Sequence, residues 1–133
     1  MGIKNEIMNK RTWAVVGVTD KTDRFGYKIW KILKKYDYVA YGISPKYDEI
    51  DGEIIYPKLK DLPETVEVVD IVVNPTIAAG VLREAKELGI EYIFFQPDTY
   101  DDKVIALADE LGLKYILDDC VYATLKEIEK NGH

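Results

Sequence analysis

The stretch "AVVGVTDKTDRFGYKIWKILKKY", Ala14 to Tyr36, decides the fold. An apolar, β-branched run ends in Gly17, a polar loop follows, and a second glycine stands at Gly26. Apolar residues then recur at Ile29, Leu33 and Tyr36, with Trp30 beside them, which is a helical stripe. Strand, glycine-bounded loop and helix in that order turn the unpaired N–H groups of a helix start toward an anion. The dinucleotide spacing G-x-G-x-x-G is absent, because Val18 and Thr19 follow Gly17 and the next glycine is Gly26. The loop is longer, and it carries the Thr19 hydroxyl and two cations, Lys21 and Arg24. A plainer reading stands beside this one: the glycines permit tight turns and the charges are solvated.

Outward from this stretch the same alternation repeats. Nearly continuous apolar runs at 12–17, 39–43, 69–73, 92–95 and 114–117 predict strands covered on both faces. Between them, 3.6-residue periodicity predicts helices over 27–36, 76–88 and 101–111, and a closing helix over 121–130. Gly89 and Gly112 follow two of these helices as stops. Asp51–Gly52, between "YDEI" and "EIIY", is a tight-turn signal, and "DEIDGE" lacks the ligand spacing of a calcium loop. The expected fold is α/β, a three-layer doubly wound Rossmann-like domain with about five parallel strands. It forms a single domain over 1–133 with its core at about 12–120. In such sheets ligands bind beyond the carboxyl ends of the strands.

Composition narrows the function classes. The chain of 133 residues is 47% apolar and 32% charged, enough for one self-sufficient core. A net charge of −6 disfavours general nucleic-acid binding, which needs a basic face, but leaves room for a local basic pocket. One cysteine, Cys120, cannot form an internal disulfide, no run is long enough to span a membrane, and "MGIKNEIMNKR" lacks the apolar core of a secretory signal. A cytoplasmic protein is expected. A single glutamine amid abundant Lys and Glu fits a thermophile source.

The residues just after each strand are the candidates. After the second strand stand Ser44, Pro45 and Lys46, where an NAD site places an acid for the ribose 2′-hydroxyl. A base here suits a ribose carrying an extra phosphate, as in coenzyme A or NADP; an ordinary loop lysine is the alternative. Asn74, Pro75 and Thr76 after the third strand are good turn and capping chemistry without any ligand. Gln96 and Pro97 follow the fourth. After the fifth, Asp118 or Asp119 reads as a helix cap, and Cys120 as a small buried residue or as a thiol at a helix start. The carboxylates Asp98, Asp101, Asp102 and Glu110 do not make a metal site, and the one histidine, His133, ends the chain.

Taken together, "VVGVTDKTDRFGYKIWKIL", "YGISPK", "DGEIIYPKLKDLPETVEVVDIVVNP", "ELGIEYIFFQP" and "YILDDC" resemble the small stand-alone CoA-binding proteins. These share their domain with the N-terminal part of the succinyl-CoA synthetase α-subunit and of ADP-forming acyl-CoA synthetases. The resemblance runs from about Thr12 to Cys120. It implies that Gly17, Val18, Thr19, Lys21, Arg24, Phe25, Gly26 and Tyr27 hold CoA phosphates over the first helix. It places Ser44, Pro45 and Lys46 at the adenosine end, with Lys46 near the ribose phosphate. Asn74, Pro75 and Ile77 would line the pocket wall, Gln96 and Pro97 would face the pantetheine arm, and Cys120 would match a cysteine of many relatives. Two departures stand out: Asp98 replaces a frequent glycine, and Asp118–Asp119–Cys120 stands where the synthetases carry "GPNC". The synthetases' phosphorylated histidine and ATP-grasp domains have no counterpart in these 133 residues.

The expected function is therefore binding of coenzyme A or an acyl-CoA without catalysis of its own, with a homodimer or a partner enzyme subunit as protein contacts. An NADP-type oxidoreductase fragment and a CoA-sensing regulator acting through Cys120 are the alternatives.

Overall fold

Strands that are apolar along their whole length need cover on both faces. The computed structural model, which describes residues 2–117 and 119–130, provides it. The chain runs α1 (Ile3–Met8), β1 (Thr12–Val16), α2 (Phe25–Lys35), β2 (Val39–Ile43), β3 (Glu49–Ile50) and β4 (Glu53–Tyr56). A short 3-10 turn (Leu59–Asp61) leads to β5 (Val68–Ile71), α3 (Pro75–Glu87), β6 (Tyr92–Phe95), α4 (Asp102–Glu110), β7 (Lys114–Ile116) and α5 (Val121–Lys130). The sheet order is β3-β4-β2-β1-β5-β6-β7, and only the β3–β4 pair is antiparallel. This is the doubly wound parallel sheet read from the sequence.

Side-chain alternation along β1 builds both layers of the core. Trp13 and Val15 pack with Ile29, Trp30 and Leu33 of α2 and with Val121 and Leu125 of α5. Ala14 and Val16 pack with Ala78, Leu82 and Ala85 of α3 and with Val104 and Ala108 of α4.

Two elements differ from expectation. Among the described residues the sheet has seven strands, because the turn at Asp51–Gly52 (φ 54° and 80°) closes a hairpin whose second strand, β4, lies parallel on β2. Ile50 and Ile55 are buried against the α2 layer, which fixes the hairpin in place. Helix α1 was not expected. Its single buried residue is Ile7, and it is tied down by Tyr38 Oη donating to the Met8 carbonyl (2.5 Å) and Tyr92 Oη donating to Glu6 (2.6 Å). The readings at Asp118 and His133 fall outside the described residues.

The first crossover depends on a close backbone approach. A Cβ on Gly26 would overlap the Gly17 carbonyl oxygen, so only glycine lets the first turn of α2 rest on the end of β1. Gly17 itself has φ +111°, and a Cβ there would meet the Val72 carbonyl oxygen at 2.9 Å.

An acid stands in the middle of the sheet. Asp70 of β5 is fully buried on the α2 and α5 side, and Gln96 Nε2 donates to its Oδ1 at 2.6 Å. The other oxygen, Oδ2, has no partner among the described residues. Gln96 is held at its other end by the Val121 N–H, which donates to Oε1 at 3.4 Å, and the Thr99 hydroxyl donates to the Gln96 carbonyl at 2.6 Å. Burial pushes the Asp70 carboxyl up to about 8, against the opposing effect of the Gln96 hydrogen bond. The folded protein thus holds a proton that the unfolded chain releases above the ordinary value of 3.8.

Two outcomes are expected. Gly26→Ala should lose about 2–4 kcal/mol of unfolding free energy in urea titrations; a loss under about 0.5 kcal/mol would contradict the contact. Because the folded pKa of Asp70 is raised, its contribution is complete at low pH and fades as pH rises. The slope is about 1.4 kcal/mol per pH unit between the two values. Asp70→Asn should remove that slope when urea midpoints are compared at pH 5 and pH 8; an unchanged slope would place the titration elsewhere.

Candidate functional site

The loop after β1 is organised from the loop after β2. Thr19 Oγ1 and Tyr47 Oη share a hydrogen bond of 3.1 Å, and Tyr47 Oη also donates to Asp20 Oδ1 at 3.1 Å. The Lys21 N–H donates to Thr19 Oγ1 at 3.3 Å, and the Arg24 N–H to the Lys21 carbonyl at 3.0 Å. The loop then enters α2 at Arg24, whose side chain makes no capping hydrogen bond. By contrast Asn74 caps α3 through the Ile77 N–H, and Asp101 caps α4 through the Val104 N–H. The start of α2 therefore keeps the anion-attracting character that capping removes elsewhere.

A cleft of about 1190 Å³ opens at the carboxyl ends of β1 and β2. From the first loop, Gly17, Val18, Thr19, Lys21, Arg24, Phe25 and Gly26 line it; from the second, Ser44, Pro45 and Lys46 do. Ile77 of α3, half exposed at 52%, forms part of the opposite wall. Ser44 is buried; it takes part in its own turn by accepting the Lys46 N–H at 3.2 Å.

Sequence reasoning missed a second set of cations. Lys58 and Lys60, just beyond β4, and Arg83 of α3 also line the cleft. With Lys21, Arg24 and Lys46 they make, among the described residues, six basic side chains facing two carboxylates, Glu84 and Glu87. Glu84 already accepts the Lys60 N–H at 3.2 Å. The signal for Lys58 and Lys60 was present as "YPKLKD", but it became readable only once β4 was known to lie beside β2. On α3, Gly80 has open space where a Cβ would stand, which widens the cleft between Ile77 and Arg83.

A second cleft, about 640 Å³, lies on the far side of Phe25, Val72 and Val73, which line both. Here the chain brings together Asn74, Gln96, Pro97 and Cys120 with Tyr122 and Ala123 of α5. Asp98 at this cleft has φ 70°, the left-handed conformation that glycine adopts freely and aspartate tolerates. Asp119 accepts the Cys120 N–H at 2.8 Å and pairs with Lys4 at 2.7 Å. Two candidates line neither cleft. Pro75 is the first residue of α3. Tyr27 turns its hydroxyl to Asp51 Oδ2 (2.7 Å), binding the hairpin to α2 beside the Lys31–Asp51 ion pair at 3.0 Å. That hydrogen bond raises the Tyr27 phenol and, with Lys31, lowers the Asp51 carboxyl.

Comparison with known proteins gives these clefts a family context. The family model described as "CoA binding domain" matches residues 11–126. An acetate–CoA ligase (ADP-forming) of Methanocaldococcus jannaschii is 33% identical over 78 residues, covering 59% of this chain and 11% of that protein. Acetate–CoA ligase (ADP-forming) I of Archaeoglobus fulgidus is 26% identical, covering 89% of this chain and 19% of that protein. The chain thus spans a fifth or less of the length of these two ligases. The structure of a hypothetical protein from Pyrococcus horikoshii OT3 superposes with a TM-score of 0.87 at 29% identity, covering 96% of this chain and 89% of that one. The family match takes in every strand of the sheet and the loops that line both clefts, and on that ground the chain belongs to the CoA binding domain family.

Proposed function

We propose that this chain binds coenzyme A or an acyl-CoA. Phosphates and adenosine would occupy the basic cleft at the ends of β1 and β2, and the pantetheine arm would cross Phe25 toward Gln96 and Pro97. The observation that carries this reading is the charge of the cleft: six basic side chains against two acidic ones, in a chain whose net charge is −6. A diphosphate at the uncapped start of α2, between Lys21 and Arg24, gains both N–H hydrogen bonds and charge. Lys46 on the neighbouring loop suits a further phosphate on the ribose.

The ligase relatives carry the matched region as a minor part of their length, so their reaction is not carried over to this chain. The reading is a cytoplasmic binding module, without catalysis of its own, that holds a CoA ligand for a partner enzyme subunit or in a homodimer. NADP carries a comparable ribose phosphate and is the competing ligand for the same cleft.

Calorimetric titration with CoA, 3′-dephospho-CoA, NADP and NAD tests the assignment. CoA should bind at least tenfold more tightly than NAD, and loss of the 3′-phosphate should weaken it about tenfold, the scale of one exposed charge-assisted contact. Lys46→Ala should erase the difference between CoA and 3′-dephospho-CoA, and added salt should weaken CoA binding. Equal affinity for CoA and NAD would reject the proposal, and tighter binding of NADP would favour the competing ligand.

A further inference from the structure

Resting on the CoA reading above, we infer that the second cleft holds the acyl group of a thioester, and that the group it fits is an uncharged hydrocarbon chain. The two clefts adjoin, since Phe25, Val72 and Val73 line both. A ligand anchored by phosphates at the start of α2 therefore runs over this ridge with its free end directed into the second cleft. At about 640 Å³ that cleft falls within the roughly 300–1,000 Å³ range of pockets that enclose a whole small ligand. The end of the arm takes part of that space beside Gln96 and Pro97, and an acyl group takes what lies beyond it.

The lining selects the chemistry. Phe25, Val72, Val73, Pro97 and Ala123 present carbon, and Tyr122 adds an aromatic ring. Three polar residues of the wall, Gln96, Thr99 and Asn74, have internal hydrogen bonds. The Gln96 amide is held between Asp70 Oδ1 and the Val121 N–H, the Thr99 hydroxyl donates to the Gln96 carbonyl, and Asn74 Oδ1 accepts the Ile77 N–H. A carboxylate or hydroxyl on the acyl group would surrender water for few partners, and Asp98 adds a like charge against any acid. The one lining cation, Lys28, lies over the rings of Phe25 and Tyr122 at 5.5 and 5.8 Å. Behind this wall lies Asp70, which through Gln96 ties β5 and the end of β6 to the start of α5.

The test is a calorimetric series on the whole protein with CoA, acetyl-CoA, butyryl-CoA, hexanoyl-CoA and succinyl-CoA. Each buried methylene should tighten binding roughly fourfold, so butyryl-CoA, with two more, should exceed acetyl-CoA by about fifteenfold, and succinyl-CoA should gain nothing over acetyl-CoA. Ala123, exposed on α5 and lining the cleft, gives the matching variant: Ala123→Trp should abolish the chain-length gain. Equal affinities across the series, or tightest binding of succinyl-CoA, would overturn the inference while leaving the CoA reading intact. A chain-length gain that survives in Ala123→Trp would overturn the placement. Failure of CoA and every thioester to bind would overturn the CoA reading and this inference together. The wild-type series decides the matter even if the tryptophan variant does not fold.

Discussion

The contact between two glycine backbones, Gly17 at the end of β1 and Gly26 in the first turn of α2, is the constraint on which the rest of the molecule depends. It brings a helix start onto the carboxyl end of the central strand, where no side chain of Arg24 closes it off. The intervening residues cannot take a shorter path, so they arch outward and place Thr19, Lys21 and Arg24 on the rim. Tyr47 then stitches that arch to the neighbouring loop. A polar loop of this length would otherwise be mobile. Two hydrogen bonds from one phenol oxygen give it a shape that a ligand can meet without ordering it afresh.

Charge is distributed so that the cleft is basic in an acidic molecule. Much of the negative surface is engaged elsewhere. Asp51 and Glu53 on the hairpin pair with Lys31 and Lys34 of α2, and Asp119 pairs with Lys4. Exposed pairs of this kind add little stability. Their consequence is spatial, because they neutralise carboxylates near α2 and leave the cations of the cleft facing few acids. A concave site lined by one sign of charge concentrates its field and attracts counter-ions of the opposite sign.

The sequence made the layered architecture readable because each strand is apolar along its length and each helix carries its own stripe. The same local logic located the Gly17 to Gly26 loop and the Ser44 to Lys46 turn, and both line the principal cleft. Relations between distant residues were not readable. The hairpin turn was visible as Asp51–Gly52, but nothing local said that β4 would lie against β2 and carry Lys58 and Lys60 to the cleft. Arg83 sits on a helix whose outward face looks like any solvated surface. Helix α1 is held by Tyr38 and Tyr92, which are 30 and 86 residues from their partners. Asp70 reads as an interruption in an apolar strand, and its contact with Gln96 together with its raised carboxyl pKa explains how the sheet tolerates it. Tyr27 shows the converse: the family resemblance put it at the candidate site, whereas its hydroxyl is spent on the hairpin.

The central claim is that the phosphates of a CoA ligand sit at the start of α2, between the ends of β1 and β2. Amide chemical shifts of nitrogen-15-labelled protein, followed by NMR as CoA is added, test it most directly. The account predicts the largest changes at residues 17–26 and 44–47. Changes confined to the β3–β4 hairpin and α4, with those two loops unmoved by saturating CoA, would contradict it.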